Sequence, residues 1–292
     1  MSVVSSDPLP EGVTSRIVET PGGPLAILDA AAVGKSRGTI VMVPGFTGGK
    51  EDFRYILKPL AQQGFRVVAI DQRGQHESPG PDEPGAYTVE ALGTHLLHLV
   101  RALGEGAVHL VGHSFGGLVA RAAVLQDASP FKSLVLMGSG PSALTGPRAD
   151  VLPYLTPILL EGGLVAVWEA SEAIAATRPR VIEVSPEAKD FLRARLIASS
   201  PTGLLATADA LTSEPDRTDE LAAVDLPILV MYGEADDAWH PDVQDAMGAR
   251  LGAAVIVVPG AMHSPAAENP ELTAQVLRDF LAAVEVGLEA GA

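Results

Sequence analysis

The sequence contains no cysteine, so a disulfide framework, a thiolate zinc site and an iron–sulfur cluster are all excluded. Aromatic residues make up only 4% of it, and the apolar interior must be built from Ala, Val and Leu. Positive charge is scarce: 20 Lys and Arg stand against 36 Asp and Glu, a formal net charge of −16. That balance argues against nucleic acid as a partner and against docking on an anionic membrane. No apolar run approaches the roughly 20 residues a membrane span needs. The polar stretch from Met1 to Glu11 lacks the basic-then-apolar order of a secretory signal, so a cytoplasmic location is expected. There is no repeat at solenoid or propeller spacing.

What the chain does have is length, apolar content and glycine. Its 292 residues are 47% hydrophobic and include 30 glycines, enough for one large α/β domain or a domain with an insertion. Val13–Thr20 and Leu25–Ala30 flank Pro21-Gly22-Gly23-Pro24 and read as a hairpin at a sheet edge. Thr39–Val43 and Arg66–Ile70 are continuous apolar runs, the pattern of strands covered on both faces. Between them a helix is expected from Glu51 to Gln63, with Phe53, Ile56, Leu57 and Leu60 on one face and Gly64 just past its end. Thr88 caps a helix to Leu103, with Glu90 in its first turn. A strand and helix follow to Asp127, then a strand over Lys132–Met137. This βαβ alternation predicts a parallel sheet with helices on both sides.

After Gly138 the rhythm changes. Residues 139–222 contain no convincing strand, and helical patterns cover Leu152–Leu160, Gly163–Ala176, Pro186–Ala198 and Thr202–Leu211. A helical cap over 139–222 is therefore expected between two parts of a core, 1–138 and 223–292. The sheet resumes at Pro227–Tyr232, Pro241–Arg250 is helical, Ala254–Val258 is the last strand, and Pro270 opens a terminal helix over Glu271–Leu288.

The chemistry concentrates at Gly112-His113-Ser114-Phe115-Gly116, which fits Gly-x-Ser-x-Gly. Alone the pattern carries little in so glycine-rich a chain; its flanks carry it, because it closes a buried strand and opens a small-residue helix. A nucleophile at the apex of such a turn needs small residues two before and two after it, and Gly117 adds clearance where the helix meets the sheet. The helix also points its amide-rich end at the serine, which favours an oxyanion there.

With three further segments the chain resembles the α/β-hydrolase superfamily over residues 13–288. Pro44-Gly45-Phe46 resembles an oxyanion loop, with proline where histidine is usual. Asp71-Gln72-Arg73-Gly74-Gln75-His76-Glu77-Ser78 resembles the superfamily's Asp-x-Arg-Gly loop. Gly233-Glu234-Ala235-Asp236 and Gly260-Ala261-Met262-His263 stand where the superfamily keeps its acid and its histidine. The resemblance implies a mostly parallel sheet flanked by helices, a helical cap inserted after the sixth strand, and a triad in the order Ser114, Asp236, His263. Ser114 is then the nucleophile, His263 the base and Asp236 the residue that orients the imidazole, with Asp237 as the alternative acid. The backbone N–H groups of Phe46 and Phe115 form the oxyanion hole. No cofactor and no metal are implied. The expected partner is a small-molecule carboxylic ester or lactone. Thioester hydrolysis, acyl transfer, carbon–carbon hydrolysis and cofactor-free perhydrolysis stay open on the same residues, as does a non-catalytic binding role. A serine nucleophile argues against the epoxide hydrolase and dehalogenase branches, which use an aspartate. A nucleotide-binding reading fails because no phosphate loop of the right spacing follows Thr39–Val43.

Other polar residues have blander readings. His95 and His98 sit at i, i+3 but lack a carboxylate partner for a metal site, and read as packed or solvated. His109 reads as a satisfied core residue, His113 as packing beside the nucleophile, and His240 as surface. Asp71 and Arg73 read as an ion pair holding a loop. Gln75 and His76 attract no role. The apolar stripe Leu152–Trp168 lines a pocket, packs on the core, or does both.

Overall fold

The structure, a computed structural model, describes residues 9–177 and 183–291. Most of the polar N-terminal stretch and a short part of the expected cap, 178–182, lie outside those residues. The chain begins with β1 (Val13–Val18), β2 (Leu25–Ala30), β3 (Gly38–Val43), α1 (Arg54–Gln62), β4 (Phe65–Ile70), α2 (Val89–Leu103), β5 (Val108–His113), α3 (Phe115–Gln126) and β6 (Phe131–Met137). Then come α4 (Leu155–Ala175), α5 (Pro186–Ile197), α6 (Pro201–Ser213) and α7 (Thr218–Ala222). The remainder is β7 (Ile228–Gly233), α8 (Pro241–Leu251), β8 (Ala254–Val258), α9 (Pro265–Glu268) and α10 (Pro270–Gly291).

The eight strands form one sheet in the order β1-β2-β4-β3-β5-β6-β7-β8. The β1–β2 hairpin is antiparallel and lies at the edge, β2 runs antiparallel to β4, and every later pairing is parallel. The predicted fold class is thus the observed one. The interior strands are apolar on both faces because both faces are covered. Along β3, Val41 and Val43 pack into the layer under α2 and α3, while Ile40 and Met42 pack into the opposite layer under α1 and α10. With few aromatics, each layer is a dense array of Val, Leu, Ile and Ala, each full burial of a larger side chain contributing about 1.5–3 kcal/mol.

Three local differences from the sequence reading have simple causes. The helix expected from Glu51 begins as a single tight turn, Lys50–Phe53, before α1 proper, because its first side chains are tied to other loops. The two helices expected at Leu152–Leu160 and Gly163–Ala176 are the arms of α4, bent at Gly163, whose φ of 66° suits glycine. The short helices α7 and α9 are below the length at which periodicity can be read.

Between β6 and β7 the regular elements among the described residues are all helices, with no strand. This insertion is fastened to the core by charge. Arg121, set in the otherwise small and apolar α3, bonds to Glu214 at the end of α6 at 2.6 Å, both buried. Removing one member of such a pair costs about 3–5 kcal/mol, since the other charge stays buried. Arg195 of α5 reaches Asp52 at 2.7 Å and the Thr47 carbonyl at 3.2 Å. No helix among the described residues is long and apolar enough to cross a membrane.

Candidate active site

Six segments converge at the carboxyl end of the parallel strands, where open α/β sheets place their sites. Ser114 follows β5 directly, with φ 55° and ψ −124°, a conformation costing about 1–3 kcal/mol that the surroundings must impose. Its N–H is held by the Met137 carbonyl of β6 at 2.9 Å. The flanking glycines are sterically required: a Cβ on Gly116 would run into the carbonyls of Val43 and Pro44, and one on Gly112 into the Gly116 carbonyl. On Gly45, a Cβ would come within 2.9 Å of the Ser114 Cβ. The loop after β3 is thus pressed against the serine.

Ser114 Oγ lies 2.9 Å from His263 Nε2, and His263 Nδ1 lies 2.9 Å from Asp236 Oδ1. A carboxylate only accepts, so Nδ1 carries the hydrogen and Nε2 presents a lone pair to the serine. The His263 turn is bracketed by Glu268, whose carboxylate accepts from the Met262 and Ser264 N–H groups at 2.8 and 2.9 Å. The acid loop is clamped as well. Ala238 N–H donates to Asp236 Oδ1 at 2.9 Å, and the Trp239 indole, packed on Gly140, donates to the Ser142 carbonyl at 3.1 Å. Asp237 does not reach the histidine. It pairs with Arg148 from the insertion, and although burial works the other way, Arg148 holds its carboxyl below the ordinary range.

The backbone N–H groups of Phe46 and Phe115 make no hydrogen bond to any described residue. They flank the serine, one from the loop after β3 and one from the first residue of α3. The loop carrying Phe46 is braced by residues that attracted no role in the sequence. Gln72 donates to the Pro44 carbonyl at 2.8 Å, and Gln75 to the Gly45 carbonyl at 2.9 Å. Side-chain amides beside a Gly-rich loop were the available signal.

The expected Asp71–Arg73 ion pair does not form. Arg73 points outward and donates to the Ala86 and Gly22 carbonyls, while Asp71 turns inward to Lys50 at 2.7 Å. The loop reverses between them, which puts the two side chains on opposite sides. Lys50, its side chain 1% exposed, also meets Glu51 at 2.9 Å and Glu77 at 2.7 Å. Burial opposes its charge, but Asp71 and Glu51 outweigh that and hold the ammonium well above its ordinary range. Burial and Glu51 push the Asp71 carboxyl up, against the pull of Lys50. Glu51, Asp71 and His76 bring possible metal-ligand atoms within 4.8 Å of one another. The Lys50 ammonium already supplies the cation between the two carboxylates, so the cluster does not call for a metal.

Three of the remaining histidines are partnered or exposed in ways that explain them, while His98 is half-buried with its Nδ1 unpartnered among the described residues. His95 Nε2 meets Thr20 Oγ1 and the Gly23 carbonyl at 3.0 and 3.1 Å, which corresponds to the packed reading. His113 Nε2 donates to the His263 carbonyl at 2.7 Å, tying the nucleophile strand to the histidine loop; burial, then the His263 charge, pushes its pKa down to about 4. His240 is exposed at the start of α8.

Above Ser114 and His263 lies a cavity of about 390 Å³, within the usual range for a small-molecule site. Its floor is Gly45, Phe46 and Ser114, and its roof comes from the insertion, mostly apolar through Leu152, Leu155, Ile158, Val167, Leu192 and Leu204 but also carrying Arg148, Glu172 and Lys189. Of the Leu152–Trp168 stripe, Leu152, Leu155, Ile158 and Val167 face the cavity and Leu152 also packs on the core, while Trp168 packs inside the insertion instead.

A serine, a histidine and a carboxylate in series under an apolar roof constitute a hydrolase-type triad arrangement. Residues 40–276 match the Alpha/beta hydrolase family, and the chain belongs to that family. It is 29% identical to a 2-hydroxy-6-oxononadienedioate/2-hydroxy-6-oxononatrienedioate hydrolase of Dechloromonas aromatica, over 81% of this chain and 84% of that one. It is 26% identical to epoxide hydrolase 3 of Xenopus tropicalis, over 83% and 71%. Among solved structures, a thermophilic esterase from Thermogutta terrifontis superposes with a TM-score of 0.74 at 26% identity, covering 93% of this chain and 99% of that one. Fold, family and triad-like arrangement together support serine hydrolase activity in general.

Proposed function

We propose that the protein hydrolyses a carboxylic ester or lactone with a small to medium, mostly uncharged acyl group through an acyl-enzyme on Ser114. The observation that carries this reading is the unbroken relay from Ser114 through His263 to Asp236, both links 2.9 Å, at the floor of an apolar cavity. Ser114 Oγ attacks the acyl carbon while its proton passes to His263 Nε2. The resulting oxyanion takes hydrogen bonds from the Phe46 and Phe115 N–H groups, which have no other partner among the described residues to give up. Collapse expels the alcohol with the proton from Nε2, and water repeats the sequence to release the acid. Asp236 keeps Nδ1 protonated and stabilises the transient imidazolium. A serine at the elbow argues against the epoxide chemistry named for one relative.

The insertion acts in this reading as a lid, residues 139–222 over a core formed by 1–138 and 223–292. Its mostly apolar lining suits an acyl chain, with the charges of Arg148, Glu172 and Lys189 on the cavity wall, and the net charge of −16 adds long-range repulsion of anionic substrates. Hydrolysis of p-nitrophenyl esters of graded chain length, with a few lactones, tests the proposal. Turnover that falls off with chain length and vanishes in Ser114→Ala supports it, and turnover that persists in that variant overturns it.

A further inference from the structure

The acid of the proposed triad has a partner that neither its motif nor its chain position announces. Gln244 lies in the second turn of α8, is 0% exposed, and does not line the cavity. Its Nε2 donates to Asp236 Oδ2 at 3.0 Å and to the Trp239 carbonyl at 2.8 Å. Both neighbours are acceptors, so only the amide nitrogen can face them; a flipped amide would set its oxygen against a carboxylate and a carbonyl. The consequence is that Gln244 Oε1 is buried with no partner among the described residues. Such an orphan costs about 1–3 kcal/mol, and a methionine of similar size would avoid it. The amide is therefore explained by what its two N–H groups do.

They close the acid loop at both ends. Asp236 Oδ1 is already bound to His263 Nδ1 and to Ala238 N–H, while among the described residues Gln244 is the one donor to Oδ2. Without it, a buried charged oxygen lacks a hydrogen bond and the carboxylate is free to turn about its last bond. Turning moves Oδ1 off the imidazole. We infer that Gln244 is a positioning residue, which fixes the plane of the Asp236 carboxylate and, through it, the orientation of His263. The inference rests on the triad reading proposed above.

The test is a set of pH–rate profiles on a neutral p-nitrophenyl ester for wild type, Gln244→Met, Gln244→Glu and Asp236→Asn. Gln244→Met is expected to lower kcat by roughly 10–100-fold, the effect of a small misplacement of a reacting group, with KM unchanged because the side chain is outside the cavity. Gln244→Glu is nearly isosteric and can donate an O–H to Oδ2 while it carries a proton, since two adjacent carboxylates share one. Its activity relative to wild type at the same pH is expected to approach unity at the acidic end and to fall as that proton leaves. A lowered Tm with wild-type kcat and a flat activity ratio across pH overturns the inference, because that is the signature of a packing role alone. Asp236→Asn separates the two readings. If it abolishes turnover while both Gln244 variants behave as wild type, the inference fails and the triad stands. If it retains turnover, the acid assignment fails and takes the inference with it.

Discussion

Strand β5 has a serine–histidine–carboxylate relay at each end, and of the two the upper one opens on a cavity. At the carboxyl end, Ser114, His263 and Asp236 are joined by 2.9 Å contacts. At the amino end, His109 Nδ1 meets Ser133 Oγ at 2.8 Å and its Nε2 meets Glu285 Oε1 at 2.8 Å. The residue types match and the ring is used in reverse. Everything around them differs. Ser114 and His263 are 7% and 9% exposed under a cavity, whereas Ser133 and His109 are both 0% exposed. Ser114 sits on a strained positive-φ turn beside two amides unpaired among the described residues, while Ser133 lies inside β6, next to a register shift but without a positive φ. Lys132 also binds Glu285 at 2.7 Å, and burial pushes the His109 pKa down to about 4. The lower relay ties α10 to the sheet. A triad's composition is therefore not its function; access, strain and free donors make the difference.

The sharpest break in this comparison comes from matched serine variants. Ser114→Ala is expected to cost on the order of 10⁴-fold or more in kcat/KM with the fold intact. Ser133→Ala should leave kcat/KM near wild type and lower Tm by a few degrees, through the roughly 1–3 kcal/mol lost when His109 Nδ1 is left unpaired. Ester kinetics and thermal denaturation on both proteins decide it, and a large activity loss in Ser133→Ala would erase the distinction drawn here.

Next in size are the carboxylates. Asp236→Asn is expected to lower kcat by roughly 10³–10⁴-fold, because an amide there favours the wrong imidazole tautomer. Asp237→Asn removes a pair at the cavity rim and should cost less than about tenfold, because a partly exposed pair contributes little. The reverse order in steady-state kinetics would move the acid to Asp237.

Much of this contrast was legible in the sequence, and the part that was not has a common cause. The elbow, the loops that carry Asp236 and His263, and the parallel strands are local patterns, each readable within a dozen residues. His109 was readable as a satisfied core residue because it interrupts an apolar strand, but its partner Glu285 lies 176 residues on. Arg195 and Asp52 are 143 residues apart, and Lys50, just before the helix expected from Glu51, carries no sequence sign of the buried cluster it joins at the Asp71 loop. Arg121 in a run of small residues did carry a signal, since a lone arginine in a buried helix needs a buried acid. Long-range polar pairs depend on which loops meet, and a single chain does not record that in spacing.

The smallest effect is on stability against acid. The folded-state pKa of His109 is below its ordinary value, so the folded protein keeps it neutral while the unfolded chain takes up a proton below about 6.5. Its contribution is complete above that pH and is lost as pH falls toward 4. Urea midpoints measured from pH 7.5 to 4.5 should therefore fall more steeply in wild type than in His109→Gln, by up to one proton's slope, about 1.4 kcal/mol per pH unit. Comparing the two proteins cancels other groups, including Asp71, whose raised pKa acts with the opposite sign. Parallel curves would show that the lower relay is not titrated by folding.

The most direct test of the central claim is chemical. A fluorophosphonate added to the purified protein, followed by intact mass and peptide mapping, should give one adduct per chain, on Ser114. Ser133 should carry no label even at excess reagent, and Ser114→Ala should stay unmodified. A label on Ser133, or ester turnover in a protein whose Ser114 never reacts, would contradict the account of why one relay is a site and the other is a fastening.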